Sequence, residues 1–436
     1  MTPHRRSLLT GVAMTVAGLG ASRVFGQAPS AAAEADHRRL LDLLGIDDLR
    51  PGADGWTPDT PNPPNYDEAR ANAFSRLPNP LRFEDGRDVA TAADWPARRA
   101  EIAALFEREI YGRIPGNAPR VTWQAGSERA ETIEGLTATS RTLTGRTAPG
   151  GPVIEATLTV PADAEGPVPA VIALSFPAAV MARFPPEPGR SWKAQVLERG
   201  WAAVEYVPTS VQADNGEGLA SGVIGMATRP RGLEDWGALR AWAWGASRVL
   251  DALAADPAVD GERVMLYGVS RYGKAALVAQ AFDQRFAAGF IASSGAGGAK
   301  LLRRDYGERV ENLASSGLYH WMAGNFLKYA GPLTAQDLPV DAHQLIALCA
   351  PRPVFISVGS FDADRWTDPR GMFMAAAAAS PVYGLLGAQP LESVQWPPIE
   401  TLVDGDVAFR QHSGGHTGGP NWPYVLDWLE PRLRRV

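Results

Sequence analysis

Between residues 168 and 358 the chain alternates short, unbroken apolar runs with longer stretches of helical periodicity. The runs at 168–174, 202–206, 264–266, 287–292 and 354–358 are short and show no polar face, which predicts strands buried on both sides. The stretches at 192–199, 233–255 and 274–282 carry apolar residues at helical spacing and predict helices between those strands. Strands alternating with helices imply a mainly parallel central sheet with helices on both faces. Upstream, 121–124, 136–143 and 153–160 alternate polar and apolar residues between Gly, Pro and Thr turns, so the sheet is expected to begin antiparallel. Residues 95–111 read as an amphipathic helix, with Pro96 in its first turn and Gly112 beyond its end. A last helix is predicted at 422–433.

Composition bounds the rest. With 436 residues, 45% hydrophobic and 21% charged, the chain can bury a large core in one α/β domain, placed at 66–436. Residues 29–65, rich in Ala, Pro, Asn and Asp with one helical pattern at 36–44, read as a linker that wraps this domain. At the start, Arg5-Arg6 precede an apolar run through Leu19 and the small-residue site Gly26-Gln27-Ala28. Residues 1–28 thus resemble a twin-arginine signal peptide, and a periplasmic or secreted protein is expected. The run is too short to span a bilayer, so no membrane association of the mature form is expected. A net charge of -6 without a long basic run argues against a nucleic-acid partner. The single cysteine, Cys349, excludes an internal disulfide, and its apolar surroundings make it a packing residue.

The candidate chemistry gathers at Tyr267-Gly268-Val269-Ser270-Arg271-Tyr272-Gly273-Lys274, where a predicted strand turns into a predicted helix. A nucleophile elbow would hold Ser270 there, lifting its oxygen above the sheet at a helix N-terminus. The pattern is G-x-S-x-x-G, with the second glycine one position late. Such an elbow requires an acid after a later strand and then a histidine. His416 supplies the histidine, in the glycine-rich loop Gln411-His412-Ser413-Gly414-Gly415-His416. His412 and His416 could pair on a metal only if a helix aligned them, and the glycines oppose one, so no metal or cofactor is expected. Three carboxylates follow the strand at 354–358: Asp364 or Asp362 is the expected triad acid, while Asp368 before Pro369 suits a turn. Arg271 offers its backbone N–H, and its guanidinium, to an oxyanion. Lys274, one turn along the helix, faces either a bound hydroxyl or solvent.

Gly268-Val269-Ser270-Arg271-Tyr272-Gly273-Lys274-Ala275-Ala276-Leu277 resembles the G-x-S-R-x-G-K-x-A-L block of glucuronoyl esterases, carbohydrate esterase family 15. The likeness continues through Asp235-Trp236-Gly237, Ser294-Gly295-Ala296-Gly297-Gly298, His320-Trp321 and Ala350-Pro351-Arg352-Pro353, and covers nearly the whole mature chain. The resemblance implies an α/β-hydrolase fold and metal-free cleavage of esters between (4-O-methyl-)glucuronic acid on xylan and lignin alcohols. Glucuronoxylan or lignin–carbohydrate fragments are then the expected partners, and a monomer the expected state. By position, Ser270 would be the nucleophile, His416 the base and Arg271 the oxyanion donor. Lys274 would contact sugar hydroxyls, and Trp366 would wall the sugar site by stacking or hydrogen bonding.

Two departures stand out. Many relatives place a glutamate where this chain has Ser293, which shifts the expected acid to Asp364 or Asp362. The stretch Leu174-Ser175-Phe176-Pro177 replaces an Asn-Phe-x-Gly-Asn pattern beside the site. A broader uronate or aryl esterase, or a non-catalytic carbohydrate-binding relative, are the alternative readings.

Overall fold

The computed structural model describes residues 28–71 and 76–433; apart from Ala28, the signal peptide expected at 1–28 lies outside them. The strands are β1 (Thr122–Ala125), β2 (Arg129–Ile133), β3 (Leu136–Arg146), β4 (Val153–Pro161), β5 (Val168–Leu174), β6 (Ala202–Val207), β7 (Val259–Val269), β8 (Ala288–Ala292), β9 (Val354–Val358), β10 (Leu402–Val403) and β11 (Val407–Gln411). They form one sheet in the order β1-β3-β4-β6-β5-β7-β8-β9-β11-β10, with β2 also on β3. The pairs from β6 through β11 are parallel, while β1 to β4 and the β10 edge are antiparallel. This is the expected α/β-hydrolase arrangement.

Side chains of the parallel strands alternate between two cores. Ala170, Ile172, Val264, Leu266 and Ile356 face one, and Val171, Ala173, Met265, Tyr267 and Phe355 face the other. Each strand is therefore apolar throughout, because both of its faces leave water. The first core is covered by the helices Ala238–Ala254 and Arg271–Phe282, and the second by Trp192–Glu198 and Trp422–Leu433. The longer helices are α1 (Ala31–Leu44), α2 (Trp95–Phe106), α3 (Trp192–Glu198), α4 (Ala238–Ala254), α5 (Arg271–Phe282), α6 (Pro369–Leu385) and α7 (Trp422–Leu433).

Several elements differ from the sequence reading. The helix expected over 95–111 is regular only to Phe106 and widens into a π turn at Glu107–Tyr111. There Glu109 accepts from Lys328 Nζ at 2.7 Å and Tyr329 Oη at 3.0 Å, bonds that sequence periodicity does not register. Gly112 ends the turn at φ 81°, where a Cβ would stand 2.2 Å from the Asp235 carbonyl oxygen. The helix expected from residue 233 starts at Ala238, because Asp235 Oδ2 closes a turn on Gly232 N at 2.6 Å. The strand β11 was not expected: its Arg410 and Gln411 break the apolar run, yet both are buried. Arg410 reaches Asn421 and Glu400 and lies 3.6 Å from the Tyr424 ring, so its charge is compensated.

The N-terminal segment packs along the domain. Ser30 Oγ accepts from Ala33 N at 3.2 Å and starts α1 a turn earlier than expected. Leu40 and Leu41 are buried, and Arg50 donates to the carbonyls of Tyr329 and Leu333, both at 2.7 Å. Nearby, the loop 51–62 crosses to the carboxyl ends of the parallel strands, where ligands of open α/β sheets bind.

Candidate active site

The turn from β7 into α5 holds Ser270 at φ 61° and ψ -130°, a backbone conformation unusual for a residue with a side chain. Its N–H donates to the Ala292 carbonyl at 3.0 Å, and its own carbonyl accepts from Lys274 N at 3.0 Å, which anchors the turn on both sides. The two glycines of G-x-S-x-x-G have separate duties. A Cβ at Gly268 would stand 2.3 Å from the Tyr272 carbonyl oxygen, and one at Gly273 would stand 2.8 Å from that of Ala292. The position between them can carry Tyr272, whose ring is buried 4.8 Å from Phe176 and 5.5 Å from Trp242. The first N–H groups of α5, beginning with that of Arg271, have no intrahelical acceptor and make the start of the helix, next to Ser270, its positive end.

Asp364 comes from a short helix, Phe361–Asp364, that follows β9, and only 4% of it is exposed. Its Oδ1 lies 2.8 Å from His416 Nδ1. Its Oδ2 accepts from Ser293 Oγ at 2.5 Å and from Gly359 N at 3.1 Å. A carboxylate only accepts, so Nδ1 carries the hydrogen and Nε2 keeps its lone pair for a proton. Asp362, the alternative acid, is exposed and makes no such contact among the described residues. Asp368 caps α6, accepting from Gly371 N at 2.9 Å, and pairs with Arg304 at 2.8 Å in full burial.

The loop after β11 carries His416 back across the strand ends. Gly414 O accepts from Ser360 N at 3.1 Å, and a Cβ on Gly418 would touch Tyr267 Oη, three residues before the elbow. Thr417 Oγ1 donates to Glu187 on the opposite rim. His412 is buried and bonds Thr417 O at 3.0 Å, so its imidazole braces the loop rather than pairing with His416. Ser270 Oγ and His416 are not hydrogen-bonded among the described residues; such pairs often tighten only around substrate.

Arg271 has 5% of its surface exposed. Its guanidinium pairs with Asp214 and lies 5.3 Å from the Trp321 ring and 5.9 Å from Phe176. Asp214 also accepts from Trp321 Nε1 at 2.7 Å and contacts His320 Nε2 at 3.0 Å. Burial alone would raise the Asp214 pKa, but Arg271 and the other donors outweigh it and hold the carboxyl well below its ordinary range. Asp214 was missed in the sequence, for its partners lie 57 and 106 residues away.

Lys274, expected to contact sugar hydroxyls, donates from its ammonium to Ser294 O and Ala296 O, both at 2.7 Å, and to Glu308 Oε2 at 2.9 Å. All three N–H bonds are engaged in a buried site, where burial lowers the lysine pKa and Glu308 opposes that fall. Glu308, also missed in the sequence, accepts from Ala296 N at 3.1 Å as well. Trp366 follows Asp364 by two residues and is partly exposed, with Gly55 flat against its six-membered ring.

A serine in an elbow, an imidazole oriented by a buried carboxylate and an adjacent guanidinium together suit acyl transfer. Comparisons with known proteins agree. The family described as glucuronyl esterase, fungi, matches residues 150–387. Carbohydrate esterase MZ0003, from an unknown prokaryotic organism, is 33% identical over 419 residues, covering 87% of this chain and 95% of that protein. The 4-O-methyl-glucuronoyl methylesterase of Schizophyllum commune is 32% identical over 366 residues, covering 81% and 80%. Among solved structures, a carbohydrate esterase family 15 glucuronoyl esterase from Teredinibacter turnerae superimposes with a TM-score of 0.86 at 46% identity, covering 92% of this chain and 99% of that one.

Proposed function

The chain belongs to the glucuronoyl esterases of carbohydrate esterase family 15, and from that membership we propose that Ser270, His416 and Asp364 carry its chemistry. It is a carboxylic ester hydrolase acting on esters of glucuronic acid. His416 Nε2 takes the Ser270 proton as the serine oxygen attacks the ester carbonyl. The tetrahedral oxyanion faces the Arg271 N–H at the start of α5, with the Arg271 guanidinium as a charged second donor. Collapse expels the alcohol with the proton from His416, and water then releases the glucuronate by the same route.

The observation that supports this reading most is the 2.8 Å contact between His416 Nδ1 and a buried Asp364. It also speaks against a binding protein that has lost its acid. We assign the acyl part to (4-O-methyl-)glucuronate carried on xylan, and the leaving group to a lignin alcohol. The same reading takes the mature protein as a monomer acting after export. Rates on benzyl glucuronate, benzyl galacturonate and an aryl acetate test the assignment. A clear preference for the glucuronate is expected, and equal rates on all three would make the chain a broad esterase instead.

A further inference from the structure

The loop 51–62 reaches the candidate site from the N-terminal segment and is built rather than draped. Asn312 clamps it to the domain, accepting from Ala53 N at 3.3 Å and donating to Ala53 O at 2.7 Å. Asn62 closes it, donating to Gly52 O at 2.6 Å, while its carbonyl accepts from Asp54 N at 2.9 Å. At the tip, Asp54 Oδ1 accepts from Trp56 N at 2.9 Å and Thr57 N at 3.0 Å, an Asx turn that fixes the tryptophan backbone.

Gly55 lies against Trp366 so closely that a Cβ there would stand 2.8 Å from both Cε3 and Cζ3. That face of Trp366 is closed to a sugar ring. Trp56 sits beside it with ring centroids 5.7 Å apart and planes tilted by 51°, and it is 59% exposed. The more exposed indole of the pair next to the Asp364 helix is therefore that of Trp56. Thr57 and Asp59 are exposed on the same loop, with Asp54 and Asn62 partly exposed, so the loop that carries the indole also offers groups that hydrogen-bond hydroxyls. A pyranose fits such a loop: its axial C–H groups pack on the aromatic face while its hydroxyls bond polar groups. An aryl or alkyl alcohol would leave those groups unused.

We propose that Trp56 forms a glycan subsite, stacking a pyranose of the polysaccharide that carries the esterified uronate. The proposal rests on the glucuronate-ester reading and adds to it a residue that recognises the chain beyond the uronate. The test compares wild type, Trp56→Ala and Trp56→Phe on benzyl glucuronate and on the benzyl ester of a methylglucuronate-bearing xylo-oligosaccharide. For Trp56→Ala, KM on the oligosaccharide ester should rise about tenfold, with benzyl glucuronate kinetics within about twofold of wild type. Trp56→Phe should recover most of the loss. Equal effects on both substrates, no effect on either, or an effect that follows the alcohol when methyl replaces benzyl would overturn the proposal. Failure of the wild type to cleave either ester would instead remove the reading on which it rests, and the proposal with it.

Discussion

Ser293 Oγ donates to Asp364 Oδ2 at 2.5 Å, while His416 Nδ1 holds Oδ1 of the same carboxylate at 2.8 Å. The serine thus stands at the position where the family resemblance puts a glutamate in many relatives, and it supports an acid delivered from the next strand. A hydroxyl bonded to a carboxylate is a strong, short contact. Ser293→Ala should keep the fold and lower kcat about tenfold, with Asp364→Asn lowering it by about a hundredfold or more, since an amide can hold the wrong imidazole tautomer. Steady-state rates on benzyl glucuronate check both. Full activity in Asp364→Asn would place the acid elsewhere.

Asp214 fixes Arg271 beside the elbow, with His320 and Trp321 holding Asp214 in turn. Asp214→Asn keeps the shape but loses the charge that sets the guanidinium. A fall in kcat of about tenfold with a smaller change in KM is expected, because the oxyanion forms only along the reaction. A change confined to KM would assign Arg271 to ground-state binding.

The buried pair of Lys274 and Glu308 gives a stability test. Removing one partner leaves an uncompensated charge, so Lys274→Met should destabilise the protein by about 3 kcal/mol. Adding Glu308→Gln should recover part of that loss in urea denaturation. A single variant as stable as wild type would mean that the ammonium is not held as the structure has it.

Acid should weaken the fold before it reaches the carboxylates. Burial lowers the pKa of His37, His320, His343 and His412 in the folded protein. Below the ordinary histidine range the unfolded chain therefore binds more protons, and stability falls as pH drops through about 6.5. Above that pH the contribution is fully present. Asp214, whose pKa is depressed, adds a second loss only below about pH 4. Thermal melts at pH 7.5 and 5.5, values spanning about one pH unit on either side of the histidine range, should show a lower Tm at the acidic value; an unchanged or higher Tm contradicts this.

The parallel strands were legible because strands buried on both faces read as unbroken apolar runs, from 168–174 to 354–358. The elbow was legible too, since Gly268 and Gly273 mark close approaches that admit no side chain. β11 was not, because Arg410 is paid for by Glu400 and Asn421, which the local pattern does not reveal. The choice between Asp362 and Asp364 was open for a similar reason: both follow the same strand, and only the burial of one of them against Ser293 and His416 separates them. The partners of Lys274 were hidden because Ser294, Ala296 and Glu308 lie 20 to 34 residues along the chain and only the fold brings them to its ammonium.

The central claim is that the Ser270 hydroxyl is the nucleophile. Turnover of benzyl glucuronate by Ser270→Ala, beside a melting curve of the same sample, tests it most directly. The expected result is a loss of at least about a thousandfold in kcat with an unchanged Tm. Activity retained near the wild-type level in a folded Ser270→Ala protein would contradict it.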